Sequence, residues 1–340
     1  MKHVNIPIFI PHLGCPHTCV FCNQCTISGA STFDPATAEE QIIKALSTID
    51  SDTACEIAYF GGSFTGIDRG LMIYLLDVAE KFVRCGRVAG IRCSTRPDYI
   101  SRDIAEILSR YTISTVELGV QSMSDAVLSA SQRGHTPEDT RRAAALLHEY
   151  NIKSGGQMMM GLPRSTPADE EECARAICSL GFKEARVYPT IVFYGTKLAA
   201  MWRRGEYEPL TLEDAVERTA NVLQILDAGG VKVLRVGLCD NENLHSGEYE
   251  AGPNHPAIGE LAASRVYYKK IKDALSGADI AGKDVEIYVP RGAVSKAVGQ
   301  HKCNRDKIIA EYKPRSLRFI ERDATRENNT VYIVEIKTVN

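Results

Sequence analysis

Residues 13–25 read Leu13-Gly14-Cys15-Pro16-His17-Thr18-Cys19-Val20-Phe21-Cys22-Asn23-Gln24-Cys25. Cys15, Cys19 and Cys22 have the spacing C-x3-C-x2-C, so one short loop carries three thiols. A 4Fe–4S cluster takes four ligands, and ferredoxin-like proteins supply all four as cysteines. A loop that supplies three ligands would leave one iron open to bind another molecule. We interpret this loop as the feature around which the rest of the chain is built.

The spacing by itself leaves other metal sites open. A zinc site takes four nitrogen or sulfur ligands, and Cys25 or His17 could complete one. Cys25 could also be the fourth thiolate of an electron-transfer cluster. The choice between these sites and an open cluster therefore depends on motifs further along the chain.

The composition is that of an ordinary globular protein. The 340 residues are 44% hydrophobic and 24% charged, and the length suits one large α/β barrel with a small additional unit. No run of about 18 apolar residues is present, which predicts that the chain does not span a membrane. The apolar start, Met1–Ile10, is too short and too interrupted by proline for a signal peptide, and we expect it to form a first buried strand. The odd number of cysteines, eleven, indicates a reducing, cytoplasmic location.

Charge is distributed unevenly along the chain. The net charge is −3, but residues 265–322 contain fourteen Lys or Arg and only seven Asp or Glu. The remainder contains 26 basic and 36 acidic residues. A basic C-terminal unit on an acidic body suggests a polyanionic partner for that unit, although a solvated basic surface would have the same composition.

Short apolar runs alternate with helical patterns, which is typical of βα units around a parallel sheet. The predicted strands are 4–10, 55–60, 88–94, 114–120, 154–160, 185–193 and, as a seventh candidate, 232–236. About six such units are too few for a closed barrel of eight. They predict an α/β fold, a partial (β/α)6 TIM-type barrel, with its active site at the C-terminal ends of the strands. We assign residues 1–245 to this barrel, 246–282 to a closing loop and helix, and 283–340 to a small α+β domain.

A second motif follows the second predicted strand and reads Phe60-Gly61-Gly62-Ser63. Glycines at the end of a strand let the backbone approach a ligand closely. The cysteine loop likewise follows the first predicted strand. Both motifs are therefore expected at the end of the sheet where a barrel has its active site.

Together the two motifs resemble the signature of the radical S-adenosylmethionine (SAM) superfamily. Within it the chain is similar to the radical domain of the Elongator catalytic subunit and, more distantly, to oxygen-independent coproporphyrinogen oxidase. The resemblance covers roughly residues 4–270. It is carried by Ser94-Thr95-Arg96-Pro97-Asp98, Glu117-Leu118-Gly119-Val120-Gln121-Ser122, Arg133-Gly134-His135-Thr136, Gln157-Met158-Met159-Met160-Gly161-Leu162-Pro163, Arg186-Val187-Tyr188-Pro189 and Gly195-Thr196-Lys197-Leu198.

The resemblance implies that Cys15, Cys19 and Cys22 hold a 4Fe–4S cluster whose open iron binds SAM. In the superfamily, an electron from the reduced cluster breaks the sulfonium C–S bond and gives a 5′-deoxyadenosyl radical that abstracts hydrogen. The residues implied to bind SAM are Phe21 near the adenine, the backbone of Gly61, Gly62 and Ser63, and Ser94, Gln121, Arg133 and Gln157 around the ribose and carboxylate. Ser63, Ser94 and Gln157 stand where relatives have acids. Glu117 and Arg96 are each expected to form an ion pair with another residue at the barrel mouth.

The chain after residue 283 resembles a KH module, in which a Gly loop between two helices clamps a nucleic-acid backbone. The loop is Gly299-Gln300-His301-Lys302, with lysine at the fourth position instead of glycine. The implied nucleic-acid contacts are Lys296, Gly299, Lys302, Arg305 and Lys307. The alternative is a small cap that only shields the barrel. Too few residues follow the barrel for an acetyltransferase domain like that of the Elongator subunit, so its reaction is not transferred.

Three functions are compatible with these patterns. The first is a radical SAM enzyme that modifies RNA, such as tRNA, with the C-terminal unit presenting the substrate. The second is the same chemistry on a small metabolite, with a purely structural C-terminal unit. The third is a non-catalytic iron–sulfur redox protein that uses Cys25 as a fourth ligand. Both enzyme hypotheses require SAM and a reductant such as flavodoxin or ferredoxin.

Overall fold

A sheet of seven parallel strands forms the main body of the protein. The computed structural model describes residues 3–15, 19–24, 26, 32–238, 249–322 and 332–339. In sheet order the strands are β1 (His3–Phe9), β2 (Ala54–Phe60), β3 (Gly90–Thr95), β4 (Ile113–Gln121), β5 (Ser154–Met160), β6 (Glu184–Pro189) and β8 (Lys232–Val236). A short antiparallel pair, β7 (Val192–Phe193) with β9 (Tyr249–Ala251), follows the end of β6. Within the described ranges the outer strands β1 and β8 do not pair with each other, so the barrel is open.

Helices connect the strands in the order expected of βα units. They are α1 (Ala38–Leu46), α2 (Arg69–Arg84), α3 (Arg102–Leu108), α4 (Asp125–Ala130), α5 (Pro137–Glu149), α6 (Pro167–Ser179), α7 (Lys197–Arg203), α8 (Leu212–Ala228) and α9 (Ile258–Leu275). Both α5 and α6 begin with a threonine cap, a proline at the first helical position and a capping box closed by aspartate. No helix in the described ranges has the length and apolar character needed to cross a bilayer.

The partial barrel predicted from the sequence is confirmed, with seven strands in place of about six units. The seventh is the candidate strand at 232–236, which pairs in parallel with β6. Apolar side chains from the strands and from the inner faces of the helices form one large buried core. Ile8, Ile57 and Leu118 in this core are fully buried. Burial of this kind is why the strands could be recognised from short apolar runs.

The C-terminal unit is a three-stranded sheet covered by two short helices. Its elements are β10 (Asp284–Pro290), α10 (Val294–Val298), α11 (Cys303–Tyr312), β11 (Ser316–Arg322) and β12 (Glu335–Val339). β10 is central, parallel to β11 and antiparallel to β12. Its core includes Tyr267, Ile271 and Leu275 of α9, so this helix packs on both the barrel and the C-terminal sheet. The KH-like identity and the domain limits remain predictions, and the limit at 245/246 lies outside the described residues.

A network of buried charges crosses the barrel interior. Arg92 donates hydrogen bonds to Glu56 (3.0 Å), Glu117 (3.0 Å) and Glu184 (2.8 Å), and Lys153 also pairs with Glu184. Burial raises the pKa of Glu184, but the hydrogen bonds from Lys153 and Arg92 outweigh it and bring the pKa below its usual value. The stabilisation that this carboxylate gives is therefore present above the ordinary glutamate pKa and is lost as the pH falls.

We expect Arg92→Ala to lower the free energy of unfolding by about 3–5 kcal/mol, because three buried carboxylates would lose their shared counter-ion. Urea unfolding followed by circular dichroism measures this. The control is Arg69→Ala, which removes an exposed ion pair with Asp103 at 2.6 Å. That change should cost less than about 1 kcal/mol. Equal losses in the two variants would contradict the role assigned to the buried network.

Candidate active site

The loop that carries the cysteines is bound backbone to backbone to the Gly-Gly turn after β2. The Ile10 amide donates to the Phe60 carbonyl at 2.7 Å, and the Ser63 amide donates to the Leu13 carbonyl at 2.8 Å. A longer bond, 3.4 Å, runs from the His12 amide to the Gly61 carbonyl. Three backbone hydrogen bonds thus hold the loop after β1 against the turn after β2.

Glycine is required where these two segments touch. A Cβ atom on Gly62 would lie 2.3 Å from the Leu13 carbonyl oxygen and 2.6 Å from that of Ile10. A Cβ on Gly14, whose φ is +72°, would lie 2.2 Å from the Ser63 carbonyl oxygen. These distances are far below van der Waals contact, so the close approach depends on glycine in both segments.

The cysteine loop is also tied to the opposite side of the barrel mouth. The Val20 amide donates to the Ser131 carbonyl at 3.1 Å, and the Val20 carbonyl accepts from the Leu198 amide at 2.8 Å. The Val20 side chain is buried in a small apolar cluster with Val192 and Tyr207, against which Phe21 packs. The C-terminal end of α4 and the first turn of α7 therefore hold this short stretch.

The three predicted ligand thiols lie in partly or fully buried positions. Cys19 is 5% exposed, and Cys15 and Cys22 are half-buried. Burial raises the pKa of Cys22 to about 12 and also raises the pKa of Cys15, where the Arg133 charge acts in the opposite direction. A bound cation would favour the thiolates that burial disfavours, so metal binding here would release protons. Cys25 and His17, the alternative fourth ligands, lie outside the described residues.

Among the described residues, no three Cys, His, Asp or Glu side chains form a preassembled metal site. Cys15 and Cys19 nevertheless lie close enough to Cys22 that both help to raise its pKa. Three thiols on one loop are a suitable donor set for an iron–sulfur cluster. The residues present therefore fit such a group.

Arg133 connects this loop to the sheet. Its Nη1 donates to Cys19 Sγ at 3.5 Å and its Nη2 donates to the Gly119 carbonyl at 3.0 Å. A Cβ on Gly119 would lie 2.4 Å from Nη2, so glycine makes room for the guanidinium. The Arg133 carbonyl in turn accepts from Arg96, which is 1% exposed and is held by two hydrogen bonds to Asp98. The prediction that Arg96 is an ion-pair partner is thereby confirmed.

A cavity of about 500 Å³ opens at the C-terminal ends of the strands, beside the cysteine loop. Seven of the predicted site residues line it, namely Phe21, Cys22, Gly61, Gly62, Ser94, Gln121 and Gln157. Gln157 donates hydrogen bonds to Ser94 (3.1 Å) and to Glu117 (2.9 Å). These seven residues are thus brought together around one space, although they come from five different segments, whereas Cys15, Cys19, Ser63 and Arg133 do not line it.

Three buried polar atoms at this site have no hydrogen-bond partner among the described residues. They are Asn5 Oδ1 on β1, and Gln121 Oε1 and Arg133 Nε in side chains that are 9% and 8% exposed. Gln121 also has a left-handed backbone, with φ +63°, at a bulge between β4 and β5. Buried groups without partners are costly, so they indicate a place where a ligand completes the hydrogen bonding.

Ser63 and Glu117 have mainly structural contacts. Ser63 is fully buried, and its hydroxyl bonds to Thr95 at 2.9 Å and accepts from the Arg96 amide at 3.2 Å. Glu117 pairs with Arg186 and Arg92, which confirms its predicted ion-pair role.

His135 lies buried, and burial, assisted by the Arg133 charge, lowers its pKa to about 3, so its imidazole is neutral at physiological pH.

Sequence reasoning missed the far wall of the cavity. Asn5, Arg186, Tyr188 and Arg235 line it, on β1, β6 and β8. Their sequence signal is the period-two alternation of a strand, in which Arg186 and Tyr188 must face the same side. That pattern could have identified them once the opposite face was known to pack against helices.

The fold and the site define an α/β partial-barrel enzyme with a cofactor site on the loop after its first strand. The chain belongs to the radical SAM superfamily: residues 9–177 match the "Radical SAM superfamily" model, and residues 182–268 match the "Radical_SAM C-terminal domain" model. This confirms the resemblance inferred from the two motifs. The cofactors of the family are a 4Fe–4S cluster and SAM. The chain is accordingly a radical SAM enzyme, which favours the open cluster over the zinc and redox-protein alternatives.

Several curated relatives are named as tRNA uridine(34) acetyltransferases. The tRNA uridine(34) acetyltransferase of Methanocaldococcus jannaschii is 29% identical, over 60% of this chain and 45% of its own length. Human Elongator complex protein 3 is 29% identical, over 52% of this chain and 32% of its own. The chain thus spans less than half the length of these relatives. In structure, the Methanocaldococcus infernus Elp3 superposes with a TM-score of 0.63 and 22% identity, covering 79% of this chain and 63% of that one, which shows a shared fold.

We expect Gly62→Ala to fold but to lose at least about half of the iron that the wild type incorporates, because a Cβ there forces the cysteine loop away from the turn. Iron and sulfide content after anaerobic reconstitution measures this, with circular dichroism to verify folding. Gly70→Ala is the matched control, since its Cβ would meet only the Asp68 carboxylate, at 3.1 Å. Wild-type iron content in Gly62→Ala would contradict the packing argument.

We expect Arg133→Gln to shift the midpoint potential of the cluster downwards by on the order of tens of millivolts, because a hydrogen bond to a ligand sulfur stabilises the reduced state. An EPR-monitored redox titration without SAM measures this directly. Arg142→Gln, on the exposed face of α5 and paired with Asp139, is the control. An unchanged potential would show that the contact with Cys19 has no electronic effect.

Proposed function

We propose that the protein cleaves SAM reductively at a 4Fe–4S cluster and uses the resulting 5′-deoxyadenosyl radical to abstract hydrogen from an RNA substrate, most plainly a tRNA. One observation carries the cofactor part of this proposal. The cysteine loop and the Gly-Gly turn, separated by 38 residues between Cys22 and Gly61, are bound together at one edge of a single cavity.

The chain's own residues divide the work at this site. Cys15, Cys19 and Cys22 would hold the cluster, which when bound supplies the electron that splits SAM. The Gly61-Gly62 turn presents backbone groups to the cavity, since glycine leaves them uncovered. Gln121 offers an acceptor and Arg133 offers a buried N–H, the types of group that hydroxyls and carboxylates require.

The RNA part rests first on the relatives. Several are named for an activity on tRNA uridine, at 29–34% identity, and we extend a tRNA substrate to this chain. Their acetyltransferase activity is not extended, because the matched region covers at most 45% of those proteins. A reductant such as flavodoxin or ferredoxin would supply the electron in the cytoplasm.

The direction of the helices supports a role for the C-terminal unit. Along α8 and α9, Arg265 pairs with Glu213 at 2.6 Å. Further along both helices, Lys270 lies 3.9 Å from Asp227. The two helices therefore run in parallel. Since α8 ends just before β8 begins, both helices start at the barrel mouth and run towards the opposite end.

Helix α11 follows the same direction. Near its start, Asn304 donates to the Ser264 carbonyl at 2.9 Å, and near its end Glu311 pairs with Lys272 at 2.8 Å. The start of α11, with the preceding Gly299–Lys302 loop, therefore points to the end of the molecule where the cavity opens. A nucleic acid bound at this loop would lie on the same face as the radical site.

The side chains predicted to contact nucleic acid differ in whether they already have a partner within the protein. Lys296 lies 3.3 Å from Glu260, and Lys307 lies over the Tyr268 ring. Lys302 is exposed and Arg305 half-buried, and neither has an ion-pair partner in the part of the chain that the structure describes. We therefore assign the main phosphate contacts to Lys302 and Arg305.

The test is anaerobic reconstitution with dithionite, SAM and total tRNA, followed by chromatography for 5′-deoxyadenosine and mass spectrometry of the tRNA nucleosides. We expect 5′-deoxyadenosine from the wild type and none from Cys19→Ala. We also expect tRNA retention to fall at least about tenfold in the double variant Lys302→Glu, Arg305→Glu, and to weaken with salt. Lys232→Glu, exposed at the opposite end of the barrel, is the charge-matched control for each of the single variants Lys302→Glu and Arg305→Glu.

Absence of 5′-deoxyadenosine from reconstituted wild type would remove the whole proposal. Its formation together with salt-independent or absent tRNA retention would remove only the RNA part. A small-molecule substrate would then be sought in the same cavity.

A further inference from the structure

Two arginines stand side by side on the far wall of the cavity. Arg186 on β6 and Arg235 on β8 are direct partners in the register of the two parallel strands. Both side chains line the same 500 Å³ space that Cys22 and the Gly-Gly turn border. Like charges in neighbouring positions of a sheet repel each other, so this arrangement requires negative charge nearby.

For Arg186 the negative charge comes from the protein. Its Nε and Nη2 donate to the two carboxylate oxygens of Glu117 at 2.7 and 3.1 Å. Its guanidinium also lies 5.5 Å from the centre of the Phe60 ring. Arg186 is therefore neutralised and fixed in place, and it forms part of the wall.

Among the residues that the structure describes, Arg235 has no such partner. Its described side-chain hydrogen bond runs from Nη1 to the Leu238 carbonyl at 3.2 Å. In the described ranges, no Asp or Glu oxygen lies within ion-pair distance of its guanidinium, although the side chain is half-buried in the cavity wall. A partly desolvated cation without a counter-ion is costly.

We propose that Arg235 forms a substrate subsite for an oxyanion, a phosphate or a carboxylate, in the radical cavity. Nε and Nη2 of this guanidinium have no bond to any described residue, and together they match such a group as a fork. The subsite lies on β8 and the cysteine loop follows β1, and both border the same cavity, so the anion belongs to a molecule that shares this cavity with the cofactor site. This inference rests on the proposed function, under which the anion is a phosphate of the target nucleotide.

The probe is inorganic phosphate, titrated into the reconstituted holoenzyme with saturating SAM and followed by 31P NMR. We expect Arg235→Gln to weaken phosphate binding about tenfold and Arg235→Lys to weaken it less, because lysine keeps the charge and loses the fork. Lys232→Gln, on the same strand but exposed outside the cavity, should bind phosphate like the wild type. The affinity for SAM should be unchanged in all three variants.

Equal phosphate binding by wild type and Arg235→Gln, or none by wild type, would overturn the proposal. So would a loss of SAM affinity in Arg235→Gln with phosphate binding intact, since Arg235 would then be a cofactor contact. Acetate titrated in the same way distinguishes a carboxylate from a phosphate source, and uridine 5′-phosphate against uridine tests a nucleotide. Formation of 5′-deoxyadenosine is measured separately, so failure of the subsite and failure of the proposed function give different results.

Discussion

The close contact of two backbone segments, the loop after β1 and the turn after β2, is the constraint on which the active site depends. Neither segment has room for a side chain at Gly14 or Gly62, and their amides and carbonyls bond across the contact. The cysteines, the cavity edge and the cradle for the cofactor all follow from it. Because the two segments end neighbouring parallel strands, the sheet brings them together before any metal is present. The fold therefore preorganises the site, and the side chains around it complete the chemistry.

Much of this arrangement could be predicted from local patterns. The strands are short apolar runs, α9 (Ile258–Leu275) lies within the segment 246–282 where the sequence predicts a closing loop and helix, and the cysteine and glycine motifs both follow strands. The contacts that could not be predicted join residues far apart in sequence. Arg92 and Glu184 are 92 positions apart, and Arg133 and Cys19 are 114 apart. Such pairs depend on which strands become neighbours and on the exact rotamers that fill the barrel, and no local period encodes either.

The C-terminal unit illustrates the same limit at a larger scale. The sequence predicts two helices joined by a Gly loop in this unit, but it does not predict that α9 completes the core of the unit. Tyr267 and Leu275 look like ordinary apolar positions of a single amphipathic helix. In the structure, Asn304 bonds to α9 through Ser264 and fixes the start of α11. The helix thus sets the orientation of the basic loop relative to the barrel mouth. A unit that looks like a separate domain in the sequence thus shares a helix with the barrel, because α9 packs on both.

The unpaired edges of the sheet have a consequence for access. In the described part of the chain no ladder of hydrogen bonds joins β1 to β8, so the barrel has a lengthwise slit bordered by the strand that leads to the cysteines and the strand that carries Arg235. Widening this slit bends the sheet without breaking a strand pairing, whereas a closed barrel would have to lose one. A change in the curvature of the sheet can therefore alter access to the cavity along this edge while every described strand pairing stays intact.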